Sequence, residues 1–167
     1  INTDLIAGLP TDTPESFKNS LDSIVRLNAE CITVHTLCMK RASRLTTEGV
    51  TLDLQQARDA REMLAYTQNI LGQNEYIPYY MYRQSRMVGN LENVGWSKRG
   101  FESLYNVYVM DETHTILACG SGGVTKLKRN NPDYLERIFN FKYPYEYIDR
   151  FDELIQRKSG IMQFYGQ

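Results

Sequence analysis

The stretch Ile1-Asn2-Thr3-Asp4-Leu5-Ile6-Ala7-Gly8-Leu9-Pro10 decides how this chain is read. A short apolar run around one acidic residue, punctuated by Gly8 and Pro10, predicts a buried strand over 2–8 that ends in a tight turn. An ionised carboxylate inside a strand is costly unless something binds it. In α/β folds, ligands gather at the carboxyl ends of parallel strands. Asp4 is therefore the first candidate for a binding site. An aspartate that caps a neighbouring backbone amide fits the same pattern, so both readings stand.

The residues that follow complete a unit around that strand. In Thr11-Asp12-Thr13-Pro14-Glu15, Thr13 suits a helix cap, Pro14 the first helical position and Glu15 the positive end of the dipole. Phe17, Leu21, Ile24 and Val25 then keep helical spacing to about Asn28. Cys31-Ile32-Thr33-Val34-His35-Thr36-Leu37 is rich in β-branched residues and predicts a second strand over 31–37. Strand, helix and strand form a βαβ unit, which requires parallel strands and a right-handed crossover. Lys40, Arg41 and Arg44 mark a basic loop or short helical turn beyond it. A long helix is expected from Thr51 to about Leu71, with Leu54, Ala57, Ala60, Leu64, Thr67 and Leu71 inward and Gly72 at its C-terminus.

The second half changes character. Tyr76 to Arg83 is aromatic and strand-like, and Pro78 makes it an edge strand or marks a bulge. Gln84 to Gly100, with three glycines, is expected to be a long functional loop. Strands are expected over 103–110 and 115–119, joining 76–83 in a small sheet, with weaker strands over 124–128 and 134–139. A helix follows over Pro144 to Lys158, with Tyr147, Phe151, Leu154 and Ile155 inward, and a terminal turn over 161–167.

The 167 residues suffice for one sizeable core, and the 42% hydrophobic and 23% charged shares suit a soluble globular protein. Nineteen basic and twenty acidic side chains leave a net charge of -1, which gives no electrostatic case for nucleic acid or an anionic membrane. No apolar run approaches the roughly 18–20 residues of a membrane span, and no signal-peptide pattern opens the chain. Cys31, Cys38 and Cys119 are too scattered for a disulfide framework, so reduced thiols in a cytoplasmic protein are expected. The chain opens directly inside a strand without an initiator Met, which leads to the expectation of a piece of a longer protein.

Several motifs carry competing readings. Gly120-Ser121-Gly122-Gly123 follows an expected strand, yet lacks both the Walker pattern and a dinucleotide fingerprint, which favours a bend or close backbone approach. His35 and His114 are the only histidines and cannot form a metal cluster; each reads as satisfied or solvent-facing. Arg83 and Arg86, beside Tyr79, Tyr80 and Tyr82, suit carboxylate binding through bidentate guanidinium and phenol donors. An edge strand with solvated arginines fits the same residues.

Asp4 to Pro10, followed by Thr13-Pro14-Glu15-Ser16-Phe17, resembles the fifth strand and helix of the oxygen-independent coproporphyrinogen III oxidase family, which are radical S-adenosylmethionine (SAM) proteins. Asn106 and Tyr108 stand like that family's Asn-Leu-x-Tyr segment. Leu117 to Val124 resembles its Leu-Gly-x-Gly-Ala-Gly-Ala turn, and Arg137, Asn140, Lys142, Pro144 and Tyr147 repeat its closing motif. Tyr79 to Gln84 and Gly89 to Asn93 are most similar to the coproporphyrinogen-dehydrogenase-like branch of Gram-positive bacteria.

The resemblance implies an α/β fold, α+β taken as a whole. The last βαβ of an incomplete radical SAM barrel would occupy 1–45, and 46–167 would be the family's C-terminal region, a small sheet with flanking helices. It implies that Asp4 holds the SAM ribose, that Ile6 contacts the adenine, and that the backbone at Cys38 reads the adenine edge. Tyr80, Arg83 and Arg86 become candidates for the tetrapyrrole substrate. The family's CxxxCxxC motif is absent, so the [4Fe-4S] cluster ligands are expected outside this chain. Cys31 and Cys38, at opposite ends of one strand, would stand about 20 Å apart at roughly 3.3 Å per residue. The chain alone is then expected to be catalytically silent, while its parent would decarboxylate propionates to vinyl groups in haem biosynthesis. Self-association through an exposed strand edge is a further expectation. A haem-binding chaperone relative and a non-catalytic interaction domain are the alternatives.

Overall fold

The computed structural model describes residues 1–39, 53–84, 87–131 and 133–166. They form two compact units, 1–103 and 104–167. The boundary expected between residues 45 and 46, and the basic stretch at Lys40, Arg41 and Arg44, lie outside the described residues.

The first unit begins with the strand, helix and strand that its sequence predicts, although the first strand is not buried: Asn2, Asp4 and Ile6 are exposed. Strand β1 (Asn2–Ala7), helix α1 (Pro14–Arg26) and strand β2 (Cys31–Thr36) form a βαβ unit with β1 and β2 parallel, in register from Asn2 opposite Cys31 to Ala7 opposite Thr36. The Thr13 hydroxyl accepts from the Ser16 N–H at 3.2 Å, and Pro14 occupies the first turn, where a missing N–H costs nothing. Gly8, with φ +84°, turns the chain beside the helix that carries Ala60: a Cβ there would lie 3.2 Å from Ala60 Cβ.

Helix α2 (Leu54–Gln73) starts at a capping box between Asp53 and Gln56 and buries Ala60, Met63, Thr67 and Leu71. Two expectations fail here. Leu54 is 80% exposed, because at 3.6 residues per turn it lies roughly 100° round the helix from Leu71. The helix also runs through Gly72 and ends at Asn74, whose side chain donates to the Ile70 carbonyl at 2.8 Å. Tyr66 on α2 donates to Asp22 on α1 at 2.7 Å, so the two helices pack side by side over one face of the sheet.

That sheet has four strands, in the order β1, β2, β4 (Asn93–Lys98), β3 (Tyr76–Tyr82). Strand β3 (Tyr76–Tyr82) is at its edge and shifts register between Pro78 and Tyr80, so it has both properties that Pro78 predicted. Strand β4 (Asn93–Lys98) corrects the reading of 84–100 as a loop: it lies between β2 and β3, antiparallel to both, after a 3₁₀ turn at Val88–Asn90. Asn93, Gly95 and Ser97 disguise it. Gly95 is required by packing, since a Cβ there would come within 1.9 Å of the Tyr80 ring.

The second unit departs further from expectation. Residues Leu104–Asp111 form helix α3, not a strand. β-Propensity reports the fit to a pleated, half-buried surface, and among the described residues no strand pairs with this segment, so local helical hydrogen bonds satisfy the backbone. The strand expected over 115–119 reduces to one bridge, Ile116 to Lys126, and the expected sheet of 76–83, 103–110 and 115–119 is not formed. Strands β5 (Val124–Asn130) and β6 (Asp133–Phe139) pair instead as an antiparallel hairpin.

The single helix expected over 144–158 is broken at Arg150 into α4 (Pro144–Asp149) and α5 (Phe151–Lys158), with α6 (Gly160–Tyr165) after it. Of its expected inward residues Leu154 is buried, whereas Phe151 is 48% exposed and Ile155 is exposed as well. The glycine run at 120–123 is a turn folded onto the end of β6. The Asn140 side chain donates to the Gly120 carbonyl at 2.7 Å, and the Gly122 N–H donates to the Phe141 carbonyl at 2.7 Å. Lys158 closes the arrangement by donating to the Ala118 carbonyl and the Thr125 hydroxyl at 2.9 and 2.7 Å, and burial pulls its pKa down. No helix among the described residues is long and apolar enough to cross a membrane.

Candidate functional site

The period-2 alternation of strands sorts the first unit's side chains into two sets. Leu5, Ala7, Ile32, Val34, Val94 and Trp96 join the core beneath α1 and α2. Asn2, Asp4 and Ile6 of β1, Thr33 and His35 of β2, and Gly95 of β4 take the opposite face. The register shift in β3 sets Tyr80 against Gly95 and Tyr82 against Asn93 on that same face. Tyr80 is fixed there by a 3.0 Å hydrogen bond between its hydroxyl and that of Thr33.

Asp4 does not stand alone on this face. His35 Nε2 lies 3.2 Å from Asp4 Oδ1, and His35 Nδ1 lies 3.2 Å from the Tyr82 hydroxyl. Burial pushes the Tyr82 phenol above its ordinary range, so it stays protonated and serves as a donor. In the tautomer whose Nδ1 accepts from Tyr82, Nε2–H donates to Asp4. Asn2 Nδ2 adds a long contact to Asp4 Oδ2 at 3.4 Å. Asp4 remains more than half exposed, so its carboxylate is oriented from one side and open to hydroxyl donors on the other.

Ile6 is on the same face as Asp4, 43% exposed, and offers an apolar surface two residues along the strand. Cys38 lies just past β2, bridged to Met87, where the Val88 N–H donates to the Leu37 carbonyl at 2.9 Å. The structure thus places Asp4, Ile6 and Tyr80 on one face and Cys38 at the carboxyl end of the parallel pair. Arg83 is placed elsewhere: it pairs with Glu92 and lines a cleft beside α2, on the sheet's helix-covered side. Arg86 lies outside the described residues. The residues that sequence reasoning missed are His35 as Asp4's partner and Tyr82 behind it. The signal was the parallel register, which sets Ile6 opposite His35 and so brings residue 35 to the Asp4 face.

The thiols stand apart. Cys31 is buried at the start of β2 and donates to the Phe101 carbonyl at 3.0 Å, Cys38 follows the other end of that strand, and Cys119 is exposed in the second unit. Among the described residues no three His, Cys, Asp or Glu side chains are grouped to hold a metal.

No family model matches the chain. It is 37% identical over 163 residues to the oxygen-independent coproporphyrinogen-III oxidase-like protein HemZ of Bacillus subtilis (strain 168), a match that covers 98% of this chain and 32% of HemZ. The chain therefore spans about a third of the length of that relative. The solved structure of coproporphyrinogen III oxidase HemN from Escherichia coli, described as a radical SAM enzyme, superposes with a TM-score of 0.56 over 91% of this chain and 34% of HemN, at 17% identity. That second likeness concerns the fold alone. In sequence the chain is a relative of part of the HemZ-like oxygen-independent coproporphyrinogen III oxidases, and in fold it is similar to part of HemN.

Proposed function

We propose that this chain supplies the nucleoside-binding wall of a radical SAM site, in a protein that oxidatively decarboxylates coproporphyrinogen III propionates to vinyl groups in haem biosynthesis. The observation that carries the reading is the oriented carboxylate of Asp4, held by His35 and Tyr82 on the face of a parallel strand pair. A carboxylate with free lone pairs accepts from the two hydroxyls of a ribose. Ile6, beside it, packs against an adenine ring, and the chain just past β2, at Cys38, runs along the base edge. These residues fit a nucleoside.

They do not fit an iron–sulfur cluster, since the described residues group no such ligands. SAM, when bound, supplies the hydrogen-abstracting chemistry of this kind of enzyme; this chain's own share is to bind and orient it. Arg83 has no part in this site, because its guanidinium pairs with Glu92 on the helix-covered side.

The test uses the ¹⁵N-labelled chain and S-adenosylhomocysteine, a chemically stable stand-in for SAM. Amide shifts are expected along β1 and at His35, and Asp4→Asn should weaken binding by about 1.5–3 kcal/mol, the worth of a hydrogen bond to a charged group. Equal affinity of variant and parent, or shifts confined to the second unit, would remove Asp4 from the site.

A further inference from the structure

Asn93 opens β4 directly opposite Tyr82 of β3, and it is buried, 2% exposed. Beside it, β2 has just left the ladder. Pairing of β2 with β4 ends at Val34 opposite Val94, and the next N–H of β2 on that side, at Thr36, donates to Asn93 Oδ1 at 2.7 Å. A backbone N–H can only donate, so the Asn93 amide has its oxygen toward Thr36 and its nitrogen on the other side.

An amide nitrogen can likewise only donate, and the Asn93 side chain is hydrogen-bonded to the Tyr82 phenol: burial raises that phenol's pKa, and the bond with Asn93 works against it. A phenol that accepts from Asn93 keeps its own proton for a further acceptor. His35 Nδ1 lies 3.2 Å from it, and His35 Nε2 lies 3.2 Å from Asp4 Oδ1. Every link then runs in one direction, from the Thr36 N–H through Asn93, Tyr82 and His35 to the carboxylate of Asp4. Aligned hydrogen bonds of this kind polarise and strengthen one another.

We infer that Asn93 is a positioning residue of the Asp4 site: by turning the Tyr82 hydroxyl onto His35 Nδ1, it keeps that imidazole neutral, with its proton on Nε2. What Asp4 does with the result rests on the nucleoside reading; the state of His35 does not. A neutral imidazole orients Asp4 and leaves its charge for the hydroxyls of a ligand, whose bonds to an ionised acceptor are roughly twice as strong as to a neutral one. An imidazolium would take that charge for itself.

The experiment follows the imidazole nitrogens of the ¹⁵N-labelled chain through a pH titration, with and without S-adenosylhomocysteine. The chain has two histidines, and His114, in the second unit, is the internal reference. His35 contacts two titratable groups, Asp4 of β1 and Tyr82 of β3, and both are retained in the first variant. At the alkaline end, His35 should carry its proton on Nε2 alone. Asn93→Asp, whose ionised side chain only accepts, draws the Tyr82 proton away from Nδ1. It should raise the His35 midpoint by about one unit or more and weaken ligand binding about fivefold. In the Tyr82→Phe background, where no hydroxyl links the two side chains, the same substitution should produce less than about half that rise. Tyr82→Phe alone should shift one proton of the Asn93 amide.

An equal rise in both backgrounds, or a parent His35 with its proton on Nδ1, would overturn the inference. A raised midpoint with unchanged affinity would separate Asn93 from the site. Failure of the parent to bind S-adenosylhomocysteine would remove the nucleoside reading and leave the His35 midpoints to decide the rest. Should Asn93→Asp not fold, an Asn93 amide unmoved in Tyr82→Phe overturns the inference by itself.

Discussion

Gly95→Ala should destabilise the first unit far more than a single methyl suggests. The added Cβ would stand 1.9 Å from Tyr80 Cε1, 2.4 Å from Cδ1 and 2.5 Å from Cζ, so the ring must leave its seat. A displaced Tyr80 loses the hydroxyl contact to Thr33 at 3.0 Å, its edge contact with Tyr79 at 4.8 Å and its stack on Tyr82 at 6.4 Å. Overpacking alone costs about 1–3 kcal/mol, and a lost hydrogen bond adds about 0.5–1.5 kcal/mol. Against this, relieving a glycine of its unfolded-state freedom returns about 0.4–1 kcal/mol. The net expectation is a loss of about 2–3 kcal/mol.

Urea unfolding followed by fluorescence reads this directly, since the single tryptophan, Trp96, is next in sequence to Gly95 in the same unit. The decisive measurement is the double-mutant cycle with Tyr80→Ala. With the ring removed, Gly95→Ala should cost nothing, or stabilise by about 0.5 kcal/mol. A loss below about 0.5 kcal/mol in the parent background, or an equal loss in both backgrounds, would refute the packing argument.

Three further outcomes follow from particular contacts. Thr13→Ala should cost about 1 kcal/mol, the usual worth of an N-cap, because the Ser16 N–H loses its acceptor; an unchanged urea midpoint would deny the cap. Glu112 is held below the ordinary carboxylate range first by a hydrogen bond from Lys126 and then by one from Arg137, so its contribution is complete above the unfolded pKa and is lost as pH falls through the folded one. Glu112→Gln should therefore flatten the acid limb of the second unit's stability profile, and an unaltered slope would show that the pair is inert. Anaerobic reconstitution of the 167-residue chain with iron and sulfide should yield neither a stoichiometric cluster nor 5′-deoxyadenosine from SAM; an absorbance scan and product assay that found both would overturn the view that cluster ligands come from elsewhere.

What could be read from residues alone was whatever rests on local chemistry. The Thr13-Pro14 start, the β1–α1–β2 crossover and the Pro78 irregularity all depend on near neighbours, and all stand in the structure. Strand β4 was hidden because its small and polar members answer to distant partners: Gly95 exists for the ring of Tyr80, and the Asn93 side chain accepts from the Thr36 N–H at 2.7 Å. Leu104–Asp111 misled in the other direction, since branched and aromatic residues make a strand only where an edge waits to pair with them. In the candidate site, Asp4 drew notice as a lone carboxylate, whereas His35 gained meaning only from a register that sequence does not print.

The place of β4 in the sheet has a consequence for how the chain comes together on the ribosome. The last strand of the first unit to be synthesised is also the one that joins the β1–β2 pair to β3. Until residues near 98 emerge, the β2 edge from Cys31 to Val34 has no partner, and β3 has nothing to pair with on its inner side. The βαβ half can form early from contacts close in sequence, but sheet closure must wait for a long-range encounter, which is the slow kind. A nascent chain paused within residues 84–92 would thus display an open strand edge, the form in which sheets recruit strands from other molecules.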